Sequence, residues 1–418
     1  MSTTATGTTV RRGVVTGYRC ATCGTSVAVD QTHPWRCPSA PVEDNHHVLH
    51  PVTDGPDPEE IDHPNPFVRY GRSLAWWAFA RAHGMTEERC IALTRDVAAG
   101  FRVTPFGPHP ALSEQLGADI WVKDETGNVG GSHKARHLVG ILLHLRAAEE
   151  LGLADGPPRP LAIASCGNAA IAASTLAKAA RWPIQVYVPE TASSAVMRTL
   201  SDLGASVTPC TRRPGTPGDP AVAAFRIAVT DGAVPFSVQG PENGLCLDGG
   251  RTIGWEMRAA LPAPARVVIQ VGGGAFAACT AWGLGPQYRV DCAQTEGGAP
   301  LERAWRLADQ TPVDRLGDRW ADLMTPWDGP VSLADGILDD ETYDWQADIE
   351  VMRASGGRPI VIAEEQVREA DALVRALGPQ VSPTGTAGLA ALLPGKGTGT
   401  GVTPGERIAI VFSGCVRH

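Results

Sequence analysis

From about residue 68 onward, short apolar runs alternate with amphipathic stretches in a regular order. ADIWVKDE, RPLAIAS, WPIQVYVPE, ARVVIQV, RPIVIAEE and RIAIVFSG each read as a strand, being brief and apolar at their centres. HKARHLVGILLHLRAAEELG has helical spacing closed by Gly152, and AAIAASTLAKAA, SAVMRTLSDLGA, FAACTAWGLG and QVREADALVRALG follow the other strands in the same way. Such alternation predicts an α/β fold: two open, mostly parallel sheet domains with helices on both faces. Residues 1–60 are polar, rich in Pro and His, and run into PVTDGPDPEEIDHPNP, which reads as a linker. The texture divides the chain into an extension (1–60), a large domain in two parts (61–136 and 240–418) and a small α/β domain between them (137–239). GKGTGTGVTPG, near residue 395, reads as a flexible loop.

In open α/β sheets, ligands bind beyond the carboxyl ends of strands. Three such junctions carry unusual residues. After the first strand, a glycine-dense turn, Gly127-Asn128-Val129-Gly130-Gly131-Ser132-His133, delivers Lys134 to the start of a helix. There the helix dipole disfavours a protonated ammonium, and a neutral amine is what imine formation requires. A surface lysine is the plainer explanation for that residue alone. After RPLAIAS, Ser165-Cys166-Gly167-Asn168 offers free amides suited to a carboxylate, or simply an N-cap for the Ala-rich helix. After ARVVIQV, Gly272-Gly273-Gly274-Ala275 can close around a phosphate at a helix N-terminus. Its spacing is neither that of a dinucleotide fingerprint nor that of a P-loop. Ser413 ends the last strand, either as a turn residue or as a neutral hydroxyl facing a ligand.

Composition narrows the function class. With 43% hydrophobic and 19% charged residues the chain is an ordinary globular protein, and its 418 residues exceed one simple core. A formal charge of -9 argues against nucleic acid as a partner, since phosphate backbones call for positive patches. No apolar run is long enough to span a bilayer, and MSTTATGTTVRRG lacks the apolar core of a signal peptide. Ten scattered cysteines read as mostly reduced thiols, so a cytoplasmic location with no membrane partner is expected.

Taken in order, these segments resemble the fold-type II pyridoxal-phosphate (PLP) enzymes, the superfamily of tryptophan synthase β chains, threonine synthases, cysteine synthases and serine/threonine dehydratases. GNVGGSHKAR is similar to that family's N-P-T-G-S-F-K-D-R lysine motif, ASCGN to its S-S-G-N substrate loop, and VGGGAF to its phosphate loop. SLADGI, starting at Ser332, resembles the dehydratases' T-I-A-D-G-I, and SPTGTAGL, starting at Ser382, resembles E-P-S-G-A-A-A-L. The resemblance implies that Lys134 carries PLP as a Schiff base and shuttles the Cα proton. It places Asn168 on the cofactor's phenolic oxygen, Gly272, Gly273, Gly274 and Ala275 on its phosphate, and Ser413 opposite the ring nitrogen. Ser165, Cys166, Gly167 and Ser132 would bind a small amino-acid substrate, with Arg136 and Lys123 as further candidates for a substrate phosphate. A homodimer is implied in the same way. The sequence departs from the pattern at His133, where threonine synthases and dehydratases have Phe, and at Ala135, where the motif has Asp.

The segment Cys20-Ala21-Thr22-Cys23-Gly24, followed by Cys37, resembles the zinc-ribbon-like extension of many threonine synthases. Cys20, Cys23 and Cys37 suit a tetrahedral zinc, but position 40 is alanine where a fourth ligand would fall, leaving His46 or His47 as substitutes. The leading expectation is a threonine synthase-like lyase or substituting enzyme acting on O-phosphohomoserine or a related substrate with a β or γ leaving group. The alternatives are β-elimination or β-replacement on serine, cysteine or O-activated serine through an aminoacrylate, and a non-catalytic PLP or amino-acid sensor.

Overall fold

The computed structural model describes residues 13–41, 44–154, 156–212, 218–398 and 401–417. The extreme N-terminus read above for a leader, and positions 399 and 400 of the glycine-rich loop, lie outside the described residues. Among the described residues, thirteen strands form three sheets. The N-terminal sheet is antiparallel, with β1 (Val15–Cys20) between β2 (Ser26–Ala28) and β3 (Leu49–Thr53). The large sheet contains β4 (Phe106–Pro108), β5 (Asp119–Asp124), β10 (Arg266–Gln270), β11 (Arg289–Thr295), β12 (Pro359–Ile362) and β13 (Arg407–Phe412). Its order is β12-β11-β10-β13-β5-β4, and only the edge strand β4 runs antiparallel. The smaller sheet, wholly parallel, comprises β6 (Leu161–Ala164), β7 (Ile184–Pro189), β8 (Ser206–Cys210) and β9 (Val234–Pro235), in the order β8-β7-β6-β9.

This topology gathers the chemistry. Strands β10, β13 and β5 are parallel neighbours, so the glycine loop, Ser413 and the lysine turn leave the same edge of the large sheet. One hydrophobic cluster runs from Val15 and Leu49 in the extension through Trp76 and Phe79 to Ile163 in the smaller sheet and Val267 in the large one. A second cluster covers the other face of the large sheet under the helix Glu364–Leu377. No helix among the described residues is long and apolar enough to cross a membrane.

Two expectations need correction. The segment from Pro51 to Pro66 is not a slack linker. It begins inside β3, Arg72 pairs with Glu59 at 2.8 Å, and the Ile61 amide donates to the Arg69 carbonyl at 2.8 Å. The boundary placed after residue 136 falls inside one continuous helix, Lys134–Glu150, whose centre is buried on all sides.

The tightest fastening is ionic. Arg136 pairs with Glu125 at 2.8 Å and Glu256 at 2.7 Å, Lys123 also pairs with Glu256, and their side chains are at most 1% exposed. Thr104 and Thr252 fill the remaining hydrogen bonds. Removing one member leaves a buried charge without its partner, which costs about 3–5 kcal/mol. Glu256→Ala should therefore lower unfolding stability by that amount in a urea titration, whereas a loss below about 1 kcal/mol, the ceiling for a surface pair, would contradict this reading.

Candidate active site

The lysine turn is built by its own polar residues. Asn128 holds Glu125 Oε2 at 2.8 Å through Nδ2, and Gly130 and Gly131 adopt φ of 70° and 74°, a region side chains avoid. Ser132 is buried, and its hydroxyl accepts from the Lys134 amide at 3.4 Å. It therefore shapes the turn. Lys134 is half-buried at the first position of its helix. Desolvation lowers its amine pKa below that of an ordinary lysine, against the pull of Asp339, Cys246 and Asp344.

Ser413 stands beside this turn but is engaged by His133, whose amide donates to Oγ at 3.0 Å and whose Nδ1 lies 2.5 Å from it. The His133 ring stacks on Phe276 with centroids 3.9 Å apart. Burial, with smaller effects from Lys134, His137 and Arg136, pushes its pKa well down, so the ring is neutral. Its Nε2 is buried without a partner. A buried nitrogen left unsatisfied is the kind of vacancy a polar ligand fills.

The glycine loop is tighter than its sequence implies. Gly274 has φ of 98°, and a Cβ there would lie 2.6 Å from Asp348 Oδ2 and 3.1 Å from Asp344 Cβ. A Cβ on Gly272 would lie 2.6 Å from Asp339 Oδ2. The backbone amides of Gly273 and Ala275 pull the pKa values of Asp339 and Asp344 down. Burial raises the pKa of Asp339 to about 6 and of Asp344 to about 7, despite these amides and the nearby Lys134. The segment Leu338–Asp344, which carries these acids, went unread in the sequence because it shows neither helical nor strand periodicity.

On the smaller sheet, β6 delivers Ser165, whose Oγ accepts from the Gly167 amide at 3.3 Å, and Cys166, whose thiol is exposed. Asn168 opens the helix Asn168–Ala180 and packs against Gly414, where a Cβ would lie 2.9 Å from Nδ2. Arg417, from the C-terminal tail, donates to Asn168 Oδ1 at 3.1 Å and to the Gly130 carbonyl at 2.7 Å. It ties the lysine turn to the Ser165–Asn168 loop, a role the sequence did not reveal. The two later motifs also meet, through the Gly336 amide donating to Thr384 Oγ1 at 2.9 Å. Lys123 and Arg136 do not line the cleft, since both are spent in the buried ion network.

A lowered lysine amine, an unsatisfied imidazole nitrogen and a glycine loop at one sheet edge together fit a carbonyl cofactor bearing a phosphate. The family comparison agrees. Residues 97–414 match the model of the pyridoxal-phosphate dependent enzymes. The chain belongs to this family. PLP is the family's cofactor, and its members include the fold-type II enzymes. The chain is 33% identical over 185 residues to a serine dehydratase-like protein of Rattus norvegicus, covering 44% of this chain and 52% of the relative. It thus spans about half the length of that curated relative. It is 27% identical over 311 residues to an L-threonine ammonia-lyase of Thermotoga maritima, covering 72% of this chain and 68% of that one. Among solved structures, maize serine racemase superposes with a TM-score of 0.62 at 17% identity, covering 79% of this chain and 93% of that one. A threonine deaminase from T.th. superposes with a TM-score of 0.60 at 22% identity, covering 79% and 97%. These likenesses show the fold.

Asp339 gives this member a testable signature. Were the glycine loop to receive a phosphate, the Asp339 carboxylate beside Gly273 would repel it when ionised. Asp339→Asn should tighten PLP binding at pH 8 by about tenfold in an absorbance titration, the repulsion at low effective dielectric being of that order. Unchanged or weaker binding would contradict this placement.

Proposed function

We propose that this chain is a PLP-dependent lyase that deaminates a small amino acid bearing a β-hydroxyl group, L-serine or L-threonine. The observation that carries this is the disposition of charge. Lys123 and Arg136 are locked into carboxylate pairs and the guanidinium of Arg417 is bonded to the Gly130 carbonyl and Asn168 Oδ1, while Asp339, Asp340 and Glu341 crowd the segment over the glycine loop. Such a lining repels a phosphorylated substrate and disfavours the threonine synthase-like alternative. It accepts a neutral leaving group, and by its sign it would accept a cationic β-amine as well. The names of the rat and Thermotoga relatives support the same reading.

In this reading Lys134 would anchor the cofactor, the loop Gly272, Gly273, Gly274 and Ala275 would receive its phosphate, and Asn168 and Ser413 would meet its ring. Bound PLP supplies the electron sink for charge developing at Cα. At the helix start, the Cys166 amide would meet the substrate carboxylate, the Ser165 amide being bonded to the Tyr187 carbonyl and the Gly167 amide to Ser165 Oγ, with the Arg417 guanidinium adding positive potential beside them. Lys134 Nζ would take the Cα proton, burial shifting its amine towards the neutral form that a base requires. The same ammonium can return that proton to the departing β-oxygen. Loss of water and later hydrolysis yield a 2-oxo acid and ammonia.

The PLP-loaded protein should release ammonia and 2-oxo acid from L-serine or L-threonine with kcat/KM at least about tenfold above that for O-phosphoserine or O-phosphohomoserine, a difference of about 1.4 kcal/mol in transition-state binding. Threonine formed from O-phosphohomoserine as the main reaction would overturn the proposal. A D-amino acid as the main product of L-serine would replace deamination by racemisation.

A further inference from the structure

Outside the cleft, four ligand-type side chains converge in the N-terminal extension. One ligand atom from each of Cys20, Cys23, Cys37 and His47 lies within 4.8 Å of all the others. This is the one such group found among the described residues. Cys23 and Cys37 have their sulfurs 3.6 Å apart, and Cys20 Sγ lies 3.4 Å from His47 Nδ1. A tetrahedral zinc with Zn–S bonds of about 2.3 Å sets its sulfurs about 3.8 Å apart, so the cage is already near the required size. All four cysteine and histidine positions come from three separate segments, the β1 end, the loop holding Cys37 and the entry to β3.

The surroundings are those of metal ligands. Gly24 adopts φ of 72° and its amide donates to the Cys20 carbonyl at 2.9 Å, closing the knuckle turn. The amides of Thr22 and Cys23 point at the Cys20 sulfur. His47 presents Nδ1 to Cys20, and its Nε2 lies 3.6 Å from Asp44 Oδ2, the carboxylate–histidine pairing that orients a metal-bound imidazole. Thiolates with one imidazole in tetrahedral array select zinc over hard cations. His47 is thus the ligand that the spacing of the cysteines left open.

We propose that Cys20, Cys23, Cys37 and His47 bind one structural zinc ion, and that this zinc braces the segments carrying the cofactor cleft. The route is a chain of contacts. Thr22, inside the knuckle, packs on Gly317, and its hydroxyl donates to the His46 carbonyl at 2.6 Å. The His46 ring stacks on Trp320 at 4.9 Å, and Trp320 meets Trp345 edge-on at 5.5 Å. Trp345 follows Asp344, whose amide donates to the Gly273 carbonyl at 2.8 Å. From the other side, Val48, next to His47, packs on Gly240, whose amide donates to Asp344 Oδ2 at 3.2 Å. Both paths from the cage end on Asp344, against the glycine loop.

Metal analysis of the purified PLP-loaded protein should find about one zinc per chain. Exchange for cobalt should give the intense visible bands and thiolate charge-transfer absorption of a tetrahedral sulfur site. Cys37→Ser should lose the metal and weaken PLP binding by about fivefold or more, the lower range of typical coupling between sites. Less than about a tenth of a zinc per chain after zinc supplementation, or a weak octahedral cobalt spectrum, would overturn the site. So would a Cys23–Cys37 disulfide in the reduced-purified protein. A zinc-free Cys37→Ser protein with native circular dichroism and unchanged PLP affinity would overturn the brace. None of these readings depends on which substrate the enzyme takes.

Discussion

The arrangement of the cleft depends on one buried salt network. Arg136 holds Glu125 and Glu256 at once, and Lys123 closes on Glu256 beside them. Arg136 lies two residues beyond Lys134, Glu125 opens the lysine turn, and Glu256 sits on the helix Arg251–Arg258. The network therefore fixes both ends of the turn against a third element. Taking four charges out of water is costly, and the geometry offsets this only because nearly every lone pair and proton is matched. Charges so committed are not free to line the cleft.

The second constraint is the crowding around the glycine loop. Gly272 and Gly274 have no room for a Cβ because the segment from Ile337 to Asp348 presses on them. Two carboxylates from that segment, Asp339 and Asp344, feel the amides of Gly273 and Ala275. Burial raises the pKa of Asp339 to about 6 and of Asp344 to about 7, so part of this acidity is muted near neutral pH. The cleft thus sets a glycine loop at a helix start against an acidic rim.

Much of this was legible before the fold. The strands at 119–124, 266–270 and 407–412 are fully apolar at their centres, so their existence and the lysine, glycine and serine junctions after them were readable. Strand β11 was not, because it reads Arg-Val-Asp-Cys-Ala-Gln-Thr. Its Asp291 is buried by pairing with Arg266 at 2.7 Å, and no periodicity announces a pairing partner that distant. His47 was one of two open choices for a fourth metal ligand, and the fold brings it to Cys20 while turning His46 onto Trp320. Lys123 and Arg136 looked available for a substrate because spacing shows proximity to a motif but not the direction of a side chain. Arg417 reaches Asn168 from the far end of the chain, a contact only the tertiary structure creates.

The chain has four lysines, which makes the central claim unusually direct to test. Lys123 is buried in its ion network, Lys178 is bonded to the Asp202 carbonyl at the surface, and Lys396 is exposed in a loop. Reduction of the PLP-loaded protein with borohydride, followed by peptide mass spectrometry, locates the lysine that holds the cofactor. The phosphopyridoxyl group is expected on Lys134, in stoichiometric yield. Its appearance on Lys123, Lys178 or Lys396 instead, or on no lysine, would contradict the claim.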